Sequence, residues 1–147
     1  MNLELRPILP TLEENAEFLK RLDNTEVLEM TVTFYARIGY SQPWVGYFAM
    51  MDDTIVGSAG FKGRPMLGKV EIAYGTMEDF RGKGIGTEIC KLLVSIAREA
   101  DPRVVITART LRKKSHSTAI LTKNNFVKKG TVVDPEDGKV WEWVYNG

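Results

Sequence analysis

The sequence predicts an α/β fold with a mixed central sheet flanked by helices, and three observations carry that expectation. Residues 69–74 read as a strand, Gly82, Gly84 and Gly86 follow, and Ile85, Ile89, Leu92, Leu93 and Ile96 then recur at helical spacing. Val104, Val105, Ile106, Thr107 and Ala108 read as a buried strand beyond that helix, which completes a βαβ unit. Its two strands should be parallel, with a right-handed crossover. Hairpin patterns on both sides of the unit add antiparallel strands, and that makes the sheet mixed.

The other elements follow in order. Leu3 and Leu5 alternate with Glu4 and Arg6 and stop at Pro7, a short first strand. Thr11, ahead of Glu13 and Glu14, caps a helix with Leu12, Ala16, Leu19 and Leu22 as its apolar face. Asp23, Asn24 and Thr25 interrupt it, and a second helix runs over 26–37. Residues 46–51 and 54–61 are strands joined by Asp52 and Asp53, a hairpin signal. Gly57 and Gly60 weaken the second of these and mark a bulge or a close backbone approach. Asp101 and Pro102 end the central helix, and a shorter helix spans 115–124 with Ala119, Ile120 and Leu121 toward the core. Residues 126–133 and 139–145 form a closing hairpin around Asp137 and Gly138. Trp141, Trp143 and Tyr145 alternate with Val140, Glu142 and Val144, so one face of the last strand is aromatic and faces the core.

With 147 residues, and no repeat or low-complexity segment, residues 1–147 are expected to form a single domain. Twenty Lys and Arg stand against nineteen Asp and Glu, so nothing draws the chain generally to nucleic acid or an anionic membrane. A lone Cys90 excludes an internal disulfide framework and fits a reducing compartment. No apolar run approaches the roughly 20 residues of a spanning helix, and the first residues lack a signal-peptide pattern. The expectation is a cytoplasmic protein that spans no membrane. One His and one Cys cannot make a zinc site, so no metal is expected.

The chemistry centres on the glycine cluster. Glycines at a strand-to-helix junction let a ligand approach the backbone, and the free N–H groups of the first helical turn suit a phosphate. A nucleotide-triphosphatase P-loop needs a Gly followed by Lys and a hydroxyl residue, which is absent. A dinucleotide fingerprint also fails, because its third glycine position falls on Thr87 or Ile89. What remains is Arg81, Gly84 and Gly86 as Arg-x-x-Gly-x-Gly, with a plain glycine-rich connection as the bland alternative.

That spacing resembles the acetyl-CoA pyrophosphate loop of the GNAT superfamily of N-acetyltransferases, and the order of elements is similar to the GNAT fold over nearly the whole chain. Glu71, Ile72, Ala73 and Tyr74 ahead of the loop resemble the branch containing the ribosomal-protein N-terminal alanine acetyltransferases. Ser117 through Phe126 is similar to a second segment of that branch. It departs at Lys114, where an Asn is common, at His116 for Ala, at Asn125 for Gly, and at Leu121, where many relatives carry a general-acid Tyr. Asn at 125 is tolerated if the backbone there is left-handed.

The resemblance implies acetyl-CoA as co-substrate and an amine as acceptor, with direct attack in a ternary complex. It assigns the cofactor to Gly75, Thr76 and Met77, then to Arg81, Gly82, Lys83, Gly84, Ile85, Gly86 and Thr87. It also places the two helices over 11–37 in the acceptor wall, and such proteins often form homodimers. Glu71 is the candidate general base, or else an ordinary ion-paired strand glutamate; Tyr74 and Ser117 are candidate acids for the leaving thiolate. His116 reads as part of a solvated helix start and Cys90 as a structural thiol. Arg109, Arg112, Lys113, Lys114, Lys123, Lys128 and Lys129 form the most basic region, which reads as a solvated face first and a cofactor contact second. Two rival readings stand beside the enzyme. One is a non-catalytic acyl-CoA-binding sensor or interaction module on the same fold, and the other is nucleic-acid binding through the basic region.

Overall fold

A computed structural model describes residues 1–147. Seven strands, β1 (Leu3–Pro7), β2 (Gly46–Met51), β3 (Thr54–Phe61), β4 (Lys69–Thr76), β5 (Val105–Thr110), β6 (Phe126–Asp134) and β7 (Gly138–Tyr145), form one sheet ordered β1-β2-β3-β4-β5-β7-β6. Only β4 and β5 are parallel; every other neighbouring pair is antiparallel. The single parallel pair is joined through a helix, because a parallel crossover needs a connection of a dozen residues or more. That helix is α3 (Ile85–Ala100), which buries Ile85, Ile89, Cys90, Leu93, Val94 and Ala97 against the sheet.

The remaining helices are α1 (Ala16–Leu19), α2 (Glu26–Ile38) and α4 (His116–Lys123). Alternation along β2 splits the core between the two faces of the sheet. Tyr47 and Ala49 join the α3 cluster, whereas Phe48 and Met50 pack with Ile8, Phe18, Leu28 and Ile55. Each fully buried large apolar side chain stabilises the fold by roughly 1.5–3 kcal/mol relative to exposure.

Two sequence expectations need correction. The segment after Thr11 is a 3₁₀ turn followed by a single α turn, so a 3.6-residue period does not describe it. Leu12, Ala16 and Leu19 are exposed, and the inward residues are Asn15 and Phe18. Asn15 is buried because its amide is fully used, accepting from the Leu9 N–H and donating to the Leu9 and Thr11 carbonyls. In α4 only Thr118 and Leu121 are buried; Ile120 is partly buried against the core and also lines a cleft, and Ala119 is exposed at that cleft. Elsewhere the sequence signals hold. Asn125 sits at φ +64, the left-handed backbone its substitution for Gly requires. The register between β2 and β3 slips beside Gly57, and a Cβ there would stand 2.6 Å from the Gly75 carbonyl oxygen.

Candidate functional site

β4 keeps its pairing with β3 to the end, Thr76 opposite Gly57, but pairs with β5 only as far as Ile72 opposite Ala108. Beyond that point the parallel strands part. The Lys62 N–H donates to the Glu71 carbonyl and the Met77 N–H to the Val56 carbonyl, so odd-numbered residues here turn their peptide groups toward β3. Tyr74 and Thr76 therefore present N–H and C=O into the gap, an unpaired edge ready for an extended ligand.

At the far end of the gap lies a cleft of about 470 Å³. Of the residues the sequence assigned to the cofactor, Gly75, Thr76, Arg81, Gly82, Gly84, Ile85, Gly86 and Thr87 line it. Met77 and Lys83 do not. Met77 packs beside the second core cluster, and the Lys83 ammonium lies 5.7 Å from the Phe80 ring centroid.

The start of α3 leaves its backbone donors open. Gly84, at φ +78, offers no side-chain cap, and the first intrahelical bond is the Glu88 N–H to the Gly84 carbonyl. The N–H groups of Ile85, Gly86 and Thr87 are left without an intrahelical acceptor. By contrast α4 is closed by a capping box between Ser115 and Thr118. Gly86 is required by space: a Cβ would lie 2.7 Å from Ile120 Cδ1 and 3.2 Å from Thr76 Oγ1. Arg81 donates from Nε to the Thr76 carbonyl at 3.3 Å, which ties the loop to the strand end. These features fit a diphosphate followed by an extended arm.

His116, Ala119, Ile120 and Lys123 form the opposite wall; of these the sequence reading offered only Lys123 as a cofactor contact, and that second to a solvated face. The signal was present as positions i, i+3, i+4 and i+7 on one helix face.

A second cleft, of about 440 Å³, opens between α2 and the strands. It shares Tyr74 and Gly75 with the first. A smaller cavity of about 110 Å³ occupies the parting of β4 and β5 and brings together Glu71, Tyr74 and Ser117, the three candidate catalytic residues.

Glu71 sits within a charged network. Lys62 Nζ is 3.0 Å from one of its oxygens and Arg109 Nε 3.6 Å from the other. Arg109 also pairs with Asp134 at 3.0 Å and reaches Glu142 at 3.9 Å. Asp134 in turn accepts from the Glu136 and Asp137 N–H groups, which fixes the β6–β7 turn. Tyr74 and Cys90 meet on the core side. Burial pushes the Cys90 thiol up to about 12 and the Tyr74 phenol well above its ordinary range, so both stay protonated and Cys90 is no nucleophile.

The Asp134 contacts yield a prediction. The Glu136 N–H, then Arg109, then the Asp137 N–H lower its carboxyl from 3.8 to about 2. A folded-state value below the unfolded one contributes stability above the unfolded value, and that contribution is lost as pH falls through the folded one. Against Asp134→Asn, wild type should therefore lose its stability advantage as pH drops from 3.8 toward 2. Thermal unfolding of both proteins across that window reads the closing gap; a constant difference refutes the assignment.

No curated protein sequence matches the chain. Among solved structures, RimL, a ribosomal L7/L12 alpha-N-protein acetyltransferase in complex with coenzyme A, superposes with TM-score 0.71 at 18% identity, covering 98% of this chain and 93% of that one. The aminoglycoside acetyltransferase AAC(6')-Ib in complex with coenzyme A and kanamycin gives TM-score 0.70 at 20% identity, covering 98% and 94%. The Salmonella typhimurium acetyl transferase that modifies the N-terminal serine of L7/L12 gives 0.68 at 17% identity, covering 98% and 94%. At such identities the likeness establishes the fold. The sequence itself matches the family model described as acetyltransferase (GNAT) domain over residues 3–127, from β1 into β6. A match of that extent shows that the chain belongs to the GNAT acetyltransferase family.

Proposed function

We propose that residues 1–147 work as one acetyltransferase domain that moves an acetyl group from acetyl-CoA to a primary amine by direct attack in a ternary complex. One observation carries this reading: the two clefts meet at Tyr74 and Gly75, where β4 has lost its partner. A thioester held along that edge and an amine entering from the α2 side would come together there. Two of the solved relatives support the reading, being acetyltransferases in complex with coenzyme A, one of them with kanamycin as well.

In this mechanism the α3 N–H groups and Arg81 hold the diphosphate, and His116 and Lys123 add donors from the opposite wall. Peptide groups of Tyr74 and Thr76 pair with the pantetheine arm. Glu71 takes a proton from the incoming ammonium, directly or through water. The amine nitrogen then forms its bond to the thioester carbon, backbone N–H groups at the strand end receive the charge that develops on oxygen, and the carbon–sulfur bond breaks. As that bond breaks, a second proton of the attacking nitrogen passes to the departing thiolate through the Ser117 hydroxyl, so no serine alkoxide is left. Tyr74 holds its proton too tightly to give it up readily, being buried with Cys90 on the core side.

The purified chain should release thiol from acetyl-CoA in the presence of an acceptor amine. Acetyl-CoA that binds measurably by calorimetry yet releases no thiol with any amine would instead identify a non-catalytic binding module.

A further inference from the structure

We infer that the acceptor is a primary amine carrying a single positive charge on an apolar or aromatic body, selected by the α2 wall of the second cleft. The inference rests on the N-acetyl transfer proposed above. Val27, Met30 and Phe34 recur at i, i+3 and i+7 along α2 and form one stripe lining the cleft. The stripe is uncovered, Met30 being 63% and Val27 46% exposed, whereas Leu28 and Tyr35 on the same helix are buried.

Two phenols of the lining are already occupied, and the Ser58 hydroxyl is an uncharged side-chain donor left over there. Tyr35 donates its hydroxyl to the Phe61 carbonyl and Tyr47 to the Pro43 carbonyl at 2.6 Å, so neither phenol is free to bond an acceptor. The lining contains one carboxylate, Glu136, and one cation, Lys62, and their formal charges cancel. Lys62 is engaged with Glu71, and the Arg37 guanidinium lies 5.5 Å from the Phe34 ring centroid, one turn along the same helix face, a further cation unfavourable to a polycationic acceptor. A polyamine or aminocyclitol would bring several ammonium groups to a cleft with one carboxylate, and its remaining charges would lie against hydrocarbon without partners. A single ammonium on an apolar body is the reacting amine itself, deprotonated at Glu71, so no charge is left over while its body is buried against Phe34 and Met30. A free arylalkylamine and a peptide beginning with an apolar residue share this chemistry.

The test is thiol release from acetyl-CoA by the whole chain with phenethylamine, a tripeptide beginning with Phe, kanamycin and spermidine. The expected result is a kcat/KM for phenethylamine or the tripeptide at least about 10-fold above either polycation, and whichever of the two is used identifies the source. Phe34→Asp should erase that preference. Met30→Glu, at a position already exposed, should shift it the same way without touching the core. Release confined to kanamycin or spermidine overturns this inference and leaves acetyl transfer standing, as does an unchanged preference in both variants. Acetyl-CoA binding without release on any of the four amines overturns the transfer reading, and this inference with it.

Discussion

Glu71→Gln is expected to lower kcat for acetyl transfer by roughly 10²–10⁴-fold at neutral pH with acetyl-CoA affinity unchanged. The carboxylate lines the small cavity between β4 and β5 with Tyr74 and Ser117, one step from where the two clefts meet. Its side chain is 18% exposed and held between Lys62 and Arg109, so its position is fixed before substrate arrives. Gln preserves volume and hydrogen-bonding capacity but cannot accept the ammonium proton. The kcat–pH profile separates this role from that of a bridge partner. A base sustains turnover at neutral pH, where the acceptor is an ammonium, whereas the variant's rate climbs only as free amine forms at higher pH. A bridge partner leaves kcat and its pH dependence in place. Its loss appears only as a lower Tm, because Lys62 and Arg109 are left facing each other across the cavity. That second pattern would assign Glu71 to structure alone.

The elements that were legible in the sequence are those whose cause is local. Asp52 and Asp53 fix the ends of β2 and β3, and the apolar period of α3 fixes the helix that the glycine loop opens. The segment after Thr11 was misread because its inward polar residue, Asn15, is made acceptable by backbone partners at Leu9 and Thr11 that no periodicity announces. The parting of β4 from β5 is a matter of register. Nothing in residues 69–76 states that pairing stops at Ile72, and strand β4 runs two residues further than the pattern of 69–74 suggested. The charged network was equally hidden. Lys62, Glu71, Arg109, Asp134 and Glu142 come from five strands or strand ends, and only the sheet order places them on one face. The glycine loop shows the opposite case. The features that would suit it to a phosphate are carried by backbone, so spacing alone could suggest it, while the α4 wall across from it had to wait for tertiary structure.

The second large effect lies in that loop. Gly86→Val should weaken acetyl-CoA binding by at least about 100-fold, close to 2.7 kcal/mol, with a lowered Tm from the crowding as well. The space for a side chain at 86 is already taken, since a Cβ would stand 2.7 Å from Ile120 Cδ1 and 3.2 Å from Thr76 Oγ1. Ile120 is the flexible tip of a side chain and can swing away, but the direction open to it is the cleft between α3 and α4, which the diphosphate needs. Helix propensity opposes no such replacement, because Gly in a helix is itself about 0.5–1 kcal/mol less favourable than Ala. Gly84→Ala provides the contrast. Only Met1 Cε, at 3.9 Å, approaches a Cβ there, but φ is +78, and a side chain in that region costs roughly 1–2 kcal/mol. Its signature is therefore a lowered Tm with binding reduced only as far as the loop relaxes. Calorimetric titration with acetyl-CoA beside thermal unfolding distinguishes the two variants. If Gly86→Val binds like wild type, the cofactor's phosphates do not lie at the start of α3, and the cleft between α3 and α4 has another occupant.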